Sequence, residues 1–171
     1  MTSKSFRCAS IYFGLTRQVK AFVSISDAPT VYKNISKNTR VASFLNIDGT
    51  CTCTQCRITS KYAAKYRFLH DSIGMHHDLV YIRDTGKPGI MTIDHILPRS
   101  LGGGDKQSNY RVLCDQCNQK RGNRLKYQEF LKVLANPELY IRQSDEGRRK
   151  FRQYVEQRYP EKLETLSYIL Y

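Results

Sequence analysis

The sequence predicts an α+β fold, and three observations carry that reading. An alternating apolar stretch, Val19, Ala21, Val23 and Ile25, has the two-residue period of a strand. Two short strand-like stretches, Ile90 to Ile96 and Tyr110 to Leu113, flank a glycine-rich loop. From Tyr127 onward the apolar residues recur at helical spacing instead. Strand signals thus come first and helical signals last, the order of an α+β chain rather than of alternating βα units.

Taken in order, Val19 to Ser26 reads as one strand of a sheet, and Tyr32 to Arg40 as a polar, basic stretch. That stretch, with Lys33, Lys37 and Arg40, serves either as a solvated connector or as a nucleic-acid contact. Val41 to Ile47 is apolar enough to pack on a core, and Asp48-Gly49 marks a turn. Lys61 to Arg83 carries His70, His76 and His77 and runs to a turn at Asp84 to Gly89. Pro98 closes the strand that starts at Ile90, Leu101 to Asp105 reads as a flexible loop, and Asp115 can start a helix. Tyr127, Phe130, Leu131 and Leu134 form an apolar helix face that Asn136-Pro137 ends. Ser144 suits an N-cap for a helix through Phe151, Tyr154, Val155 and Arg158. Pro160 can open a last helix along Leu163, Leu166 and Ile169-Leu170. The expected organisation is a strand-containing region at 1–50, a central domain at 51–125 and a helical extension at 126–171.

Charge narrows the partner. Against 15 Asp and Glu there are 28 Lys and Arg, a net charge of +13 in 171 residues, which calls for a polyanion, with nucleic acid first. A structural RNA-binding protein would share that charge. No stretch is apolar for the ~20 residues that cross a bilayer, so a membrane partner is not expected. The start Met1 to Arg7 lacks the apolar run of a secretory signal, so the expected location is cytoplasmic. In a reducing compartment the six cysteines are metal ligands before they are disulfides.

Cys53-x-x-Cys56 and Cys114-x-x-Cys117 repeat one spacing, as two knuckles presenting four thiolates to a tetrahedral zinc do. Cys51 competes with Cys53 for a place in that set, and Cys8 is left as a small core residue. Whatever lies between the knuckles is enclosed by the staple. That intervening text includes Asp94-His95, Pro98 and Gly102-Gly103, and it runs through Asn109 to Cys114-x-x-Cys117-Asn118-x-Lys120.

In this order and spacing the segment Asp94 to Asn123 resembles the HNH family of nucleases, whose pattern is an Asp-His pair, a Pro and Gly-Gly loop, a central Asn and a Cys-x-x-Cys-Asn helix. The likeness covers roughly Cys53 to Asn123. It implies a ββα-metal core from about Ile90 to Gly122, stapled by the four-cysteine zinc. It further implies His95 as general base, Asp94 and Asn118 as ligands of a catalytic Mg²⁺ or Mn²⁺, and Asn109 as the residue that holds the loop and orients His95. The residue types suit those roles. An imidazole accepts a proton near neutral pH, and carboxylate and amide oxygens suit a hard divalent cation. Many relatives have His where this chain has Asn118, and the amide favours Mg²⁺ or Mn²⁺ over a softer ion.

Lys120, Arg121, Arg124 and Lys126 cluster beside Asn118 and, with Arg99, are candidates for phosphate contacts. His76, His77 and Asp78 suit a surface or substrate contact better than a second metal site. The resemblance thus implies a DNA endonuclease of the free-standing phage or homing type, a monomer that nicks or a homodimer that cuts both strands. RNA is the lesser substrate. The competing reading, from a different class, is a zinc-stapled nucleic-acid-binding protein without turnover.

Overall fold

A computed structural model of the chain describes residues 17–24, 43–46, 50–60, 62–68 and 76–167. Cys8, the Tyr32 to Arg40 stretch, His70 and Ile169-Leu170 lie outside the described residues. Five strands pair in the order β1 (Arg17–Ser24), β2 (Tyr62–Phe68), β3 (His76–Ile82), β4 (Pro88–His95) and β5 (Tyr110–Cys114). The pairings from β1 to β4 are antiparallel, and the register slips between Val19 and Ala21. The described helices are α1 (Asp115–Arg121), α2 (Tyr127–Ala135), α3 (Pro137–Tyr140), α4 (Asp145–Arg158) and α5 (Leu163–Ser167). Among the described residues no helix is long and apolar enough to cross a membrane.

By internal packing the chain divides into two compact units, 1–93 with 112–119 and 94–111 with 120–171. In the first, Leu79, Tyr81, Met91, Val112 and Leu113 bury a core together with Cys51, Cys53, Cys114 and Cys117. Burying such aliphatic side chains stabilises by about 1.5–3 kcal/mol each. Tyr81 pairs with Gly89 across β3 and β4, where an added Cβ would stand 2.4 Å from its ring. Glycine there makes room for the ring.

The second unit is built on the helical face read from the sequence. Phe130 and Val133 of α2, Phe151 and Val155 of α4, and Leu166 of α5 surround Leu97 and Ile141. Tyr159 stacks on Phe130 at 4.2 Å between ring centres. Ser144 caps α4, its hydroxyl accepting the backbone N–H of Gly147 at 3.2 Å. Pro160 opens a short 3-10 turn before α5, and Pro137, which ends α2, also starts α3.

The expected flexible loop at Leu101 to Asp105 is instead tightly packed. Gly102 has φ +94°, and a Cβ on it would lie 2.2 Å from the Gly147 carbonyl oxygen. On Gly103 a Cβ would lie 1.9 Å from the carbonyl oxygen of Leu97. Both glycines serve close backbone approach and not looseness.

Candidate active site and metal centre

The first unit gathers the thiols. The Sγ atoms of Cys53, Cys56, Cys114 and Cys117 all lie within 4.8 Å of one another. Four thiolates at about 2.3 Å from one zinc stand about 3.8 Å apart, so the cluster is near the required size. A tight turn forms the first knuckle: Arg57 donates to the Cys53 carbonyl at 3.0 Å, and Cys53 to the Ile58 carbonyl at 2.8 Å. Arg57 takes the left-handed φ of +67° that closes it. Both the backbone N–H and the hydroxyl of Thr54 donate to the Val112 carbonyl at 3.0 Å, tying that turn to β5.

The thiols of the cluster perturb one another's ionisation. Burial works to raise the Cys53 thiol, but the backbone N–H groups of Cys56, Cys114 and Gln55 prevail and bring it down to about 7. Burial, then the thiols of Cys114 and Cys56, push Cys117 far up. Thiols this close resist joint ionisation unless a cation compensates, which suits a soft divalent ion such as zinc. Cys51 stands apart. Its thiol donates to the Phe44 carbonyl at 3.5 Å, and burial pushes it up to about 11.

Helix α1 starts directly after Cys114. Asp115 at its first position accepts the Tyr81 hydroxyl at 2.6 Å, Arg83 at 2.5 Å and the Gln116 backbone N–H at 2.8 Å. Burial first, then Asp115, drive the Tyr81 phenol above its ordinary range. One turn later Asn118 donates its amide N–H to Thr92 Oγ1 at 3.0 Å, and that hydroxyl donates to the Leu113 carbonyl at 2.9 Å. With its nitrogen so committed, the amide oxygen is the atom through which Asn118 can ligate a cation.

The second unit holds Asp94, His95 and Asn109. Asp94 is buried at the end of β4, and both carboxylate oxygens take guanidinium donors: Arg111 at 2.9 Å and Arg121 at 3.1 Å. Glu129 closes the ring, bonded to Arg111 and 3.5 Å from Arg121. Burial would raise Glu129, but the backbone N–H of Lys126 and the Arg111 guanidinium hold it below its usual value. A carboxylate offers about four lone-pair positions, so Asp94 retains oxygen capacity for a hard cation beside these two.

His95, next along the strand, has its Nε2 3.0 Å from Asp105 Oδ1. Its ring packs nearly perpendicular to that of Tyr110, with ring centres 4.9 Å apart. Asn109 is fully buried and ties the loop shut. Its oxygen accepts Leu97 N–H at 2.8 Å, and its amide N–H donates to the carbonyls of Leu97 at 3.1 Å and Gly104 at 2.8 Å. Its own carbonyl accepts the Ile96 N–H at 2.8 Å.

Residues 84–131 match the family model for HNH endonucleases. This stretch is similar to HNH endonucleases. No curated protein and no solved structure matches the chain. The matched residues include Asp94, His95, Asn109, the second cysteine knuckle and Asn118, while the first knuckle falls outside them.

Within the matched segment the basic residues divide. Arg99, Lys120, Arg124 and Lys126 are exposed. Arg121 is not: its side chain is 2% exposed, paired with Asp94 and donating to the Ile96 carbonyl at 2.6 Å. A buried guanidinium so committed presents no charge to a phosphate. Asp105 is a partner of His95 that sequence reasoning passed over. It read as the end of a loop, although an acid ten residues after His95, just past three packed glycines, is a signal for a local return contact.

Proposed function

We propose that the chain is a metal-dependent endonuclease that hydrolyses DNA phosphodiester bonds to 5′-phosphate and 3′-hydroxyl ends. The observation that carries this reading is the Asp94-His95 pair at the end of β4, inside the segment matched to HNH endonucleases. In this reading His95 accepts a proton from the attacking water as the water oxygen bonds to phosphorus. The P–O3′ bond then breaks, and the leaving oxygen takes a proton from solvent. Asp94 would be a ligand of Mg²⁺ or Mn²⁺, Asn118 is the further ligand that the family resemblance implies, and the four cysteines would hold zinc. When bound, the hard cation supplies Lewis-acid stabilisation of the phosphorane-like transition state. Asn109 keeps the loop closed beneath His95. Arg99, Lys120, Arg124 and Lys126 supply salt-dependent phosphate contacts that position the duplex.

The test is supercoiled plasmid incubated with the zinc-loaded protein in EDTA, Mg²⁺ or Mn²⁺. Cutting is expected with the divalent ions and not in EDTA, and His95→Ala should lower the rate by about 10²–10⁴-fold, the range for a general base. Nicked or linear product reports whether one or two strands are cut. Cleavage that persists in EDTA or in His95→Ala overturns the proposal.

A second reading, a zinc-stapled binder without turnover, draws on the two guanidiniums that already occupy Asp94. It expects no cleavage in any ion and DNA binding by His95→Ala equal to that of the parent.

A further inference from the structure

We propose that Asp105 is a positioning residue that holds the His95 ring in one tautomer and one orientation, with Nε2–H donated to its carboxylate and Nδ1 left as the basic atom. This rests on the general-base role of His95 given above.

The contact is 3.0 Å, between His95 Nε2 and Asp105 Oδ1, within one compact unit. A carboxylate accepts and does not donate when ionised, so the facing ring nitrogen has to carry the hydrogen. In a neutral imidazole the other nitrogen then bears the lone pair. An acid that selects the tautomer of a base in this way is a general device of hydrolytic sites.

The acid is itself held. Arg99 donates to the same oxygen at 2.5 and 3.2 Å, the Tyr110 hydroxyl at 3.0 Å, and Arg142 stands 3.8 Å from the other oxygen. Arg99 first, then His95, keep the carboxyl below the usual carboxylate range. Its backbone is fixed as well. Gly104, immediately before it, is bonded through its carbonyl to Asn109 and through its N–H to the Tyr140 carbonyl at 2.8 Å. The central Asn therefore reaches His95 by relay: Asn109 fixes Gly104, Gly104 places Asp105, and Asp105 sets the ring. Tyr110 adds a second constraint, its ring packing nearly perpendicular to the imidazole while its hydroxyl pins the acid.

The experiment uses the zinc-loaded full chain, as parent, Asp105→Asn, Asp105→Ala, Asp105→Glu and His95→Ala. Long-range ¹H–¹⁵N correlation of the His95 ring, in its neutral form, reads the tautomer. Cleavage kinetics with plasmid and Mg²⁺ read kcat and KM separately, and circular dichroism confirms that each variant is folded. The parent should show the Nε2–H tautomer. Asp105→Asn keeps the size but can donate or accept, and Asp105→Ala does neither, so both should show mixed tautomers. In both, kcat should fall by about 10²-fold with KM within about threefold, below the larger losses seen when the acid of a full triad is changed. Partial recovery of kcat in Asp105→Glu supports the carboxylate as the active feature. An Nδ1–H tautomer in the parent, or a kcat unchanged in Asp105→Ala while His95→Ala is inactive, overturns the proposal. Should His95→Ala itself cut at the parental rate, the endonuclease mechanism fails separately, and the ring spectra still decide whether Asp105 sets the tautomer.

Discussion

Asp94 belongs to a buried charge network of the second unit, and this makes its substitution ambiguous unless stability is measured alongside activity. Arg121 and Arg111 reach it from the end of α1 and from β5, and Glu129 joins from α2. Removing one partner of a buried pair leaves an uncompensated charge and costs about 3–5 kcal/mol. Asp94→Ala is therefore expected to unfold at lower denaturant by about that amount, with Asp94→Asn, which retains an acceptor, costing less. Urea unfolding of both variants checks this, and a loss under about 1 kcal/mol for Asp94→Ala would show the network to be dispensable. The pair Asp94-His95 was legible because the two residues are adjacent and belong to one motif. The network was not, since Arg111, Arg121 and Glu129 approach from three other elements and a basic residue next to Asn118 reads equally well as a phosphate contact.

At the scale of elements, the helices were the most readable part because each carries its own local signals. The N-cap Ser144, followed by acidic Asp145 and Glu146 in the first turn, places α4 to the residue. Ser144→Ala should cost about 1 kcal/mol, while Ser144→Gly should cost only a few tenths. Equilibrium unfolding of the pair separates a lost cap from a general tolerance at the site; equal effects would mean that the hydroxyl bond to Gly147 adds nothing. Strands β2 and β3 were not anticipated. Tyr62 to Phe68 contains two alanines, a lysine and an arginine, with little β-branched character, and their pairing is decided across the sheet rather than within the stretch. The Leu101 to Asp105 loop misled for a related reason. Glycine reports either freedom or close packing, and only the neighbours, here the Leu97 and Gly147 carbonyls, tell which.

At the scale of the whole molecule, the thiol cluster joins residues far apart in the chain. It links the Cys53 turn to the end of β5 and the start of α1, the helix that carries Asn118. Structural zinc contributes an apparent ~10–16 kcal/mol in small zinc domains. Even a third of that, at about 2–4 °C per kcal/mol for a chain of this size, would lower Tm by roughly 10–20 °C. Stripping the protein with a strong chelator should therefore release one zinc per chain, lower Tm by that amount and abolish cutting. Mg²⁺ alone should not restore cleavage, and zinc followed by Mg²⁺ should. Thermal melts, metal analysis and plasmid cleavage on one sample make the comparison. A stripped chain with an unchanged melt would mean that packing around Leu79, Val112 and Leu113 holds this unit without the ion. A stripped chain that melts early yet still cuts with Mg²⁺ would separate the staple from the chemistry, and Asn118 would then have no dependence on the cysteine that precedes it.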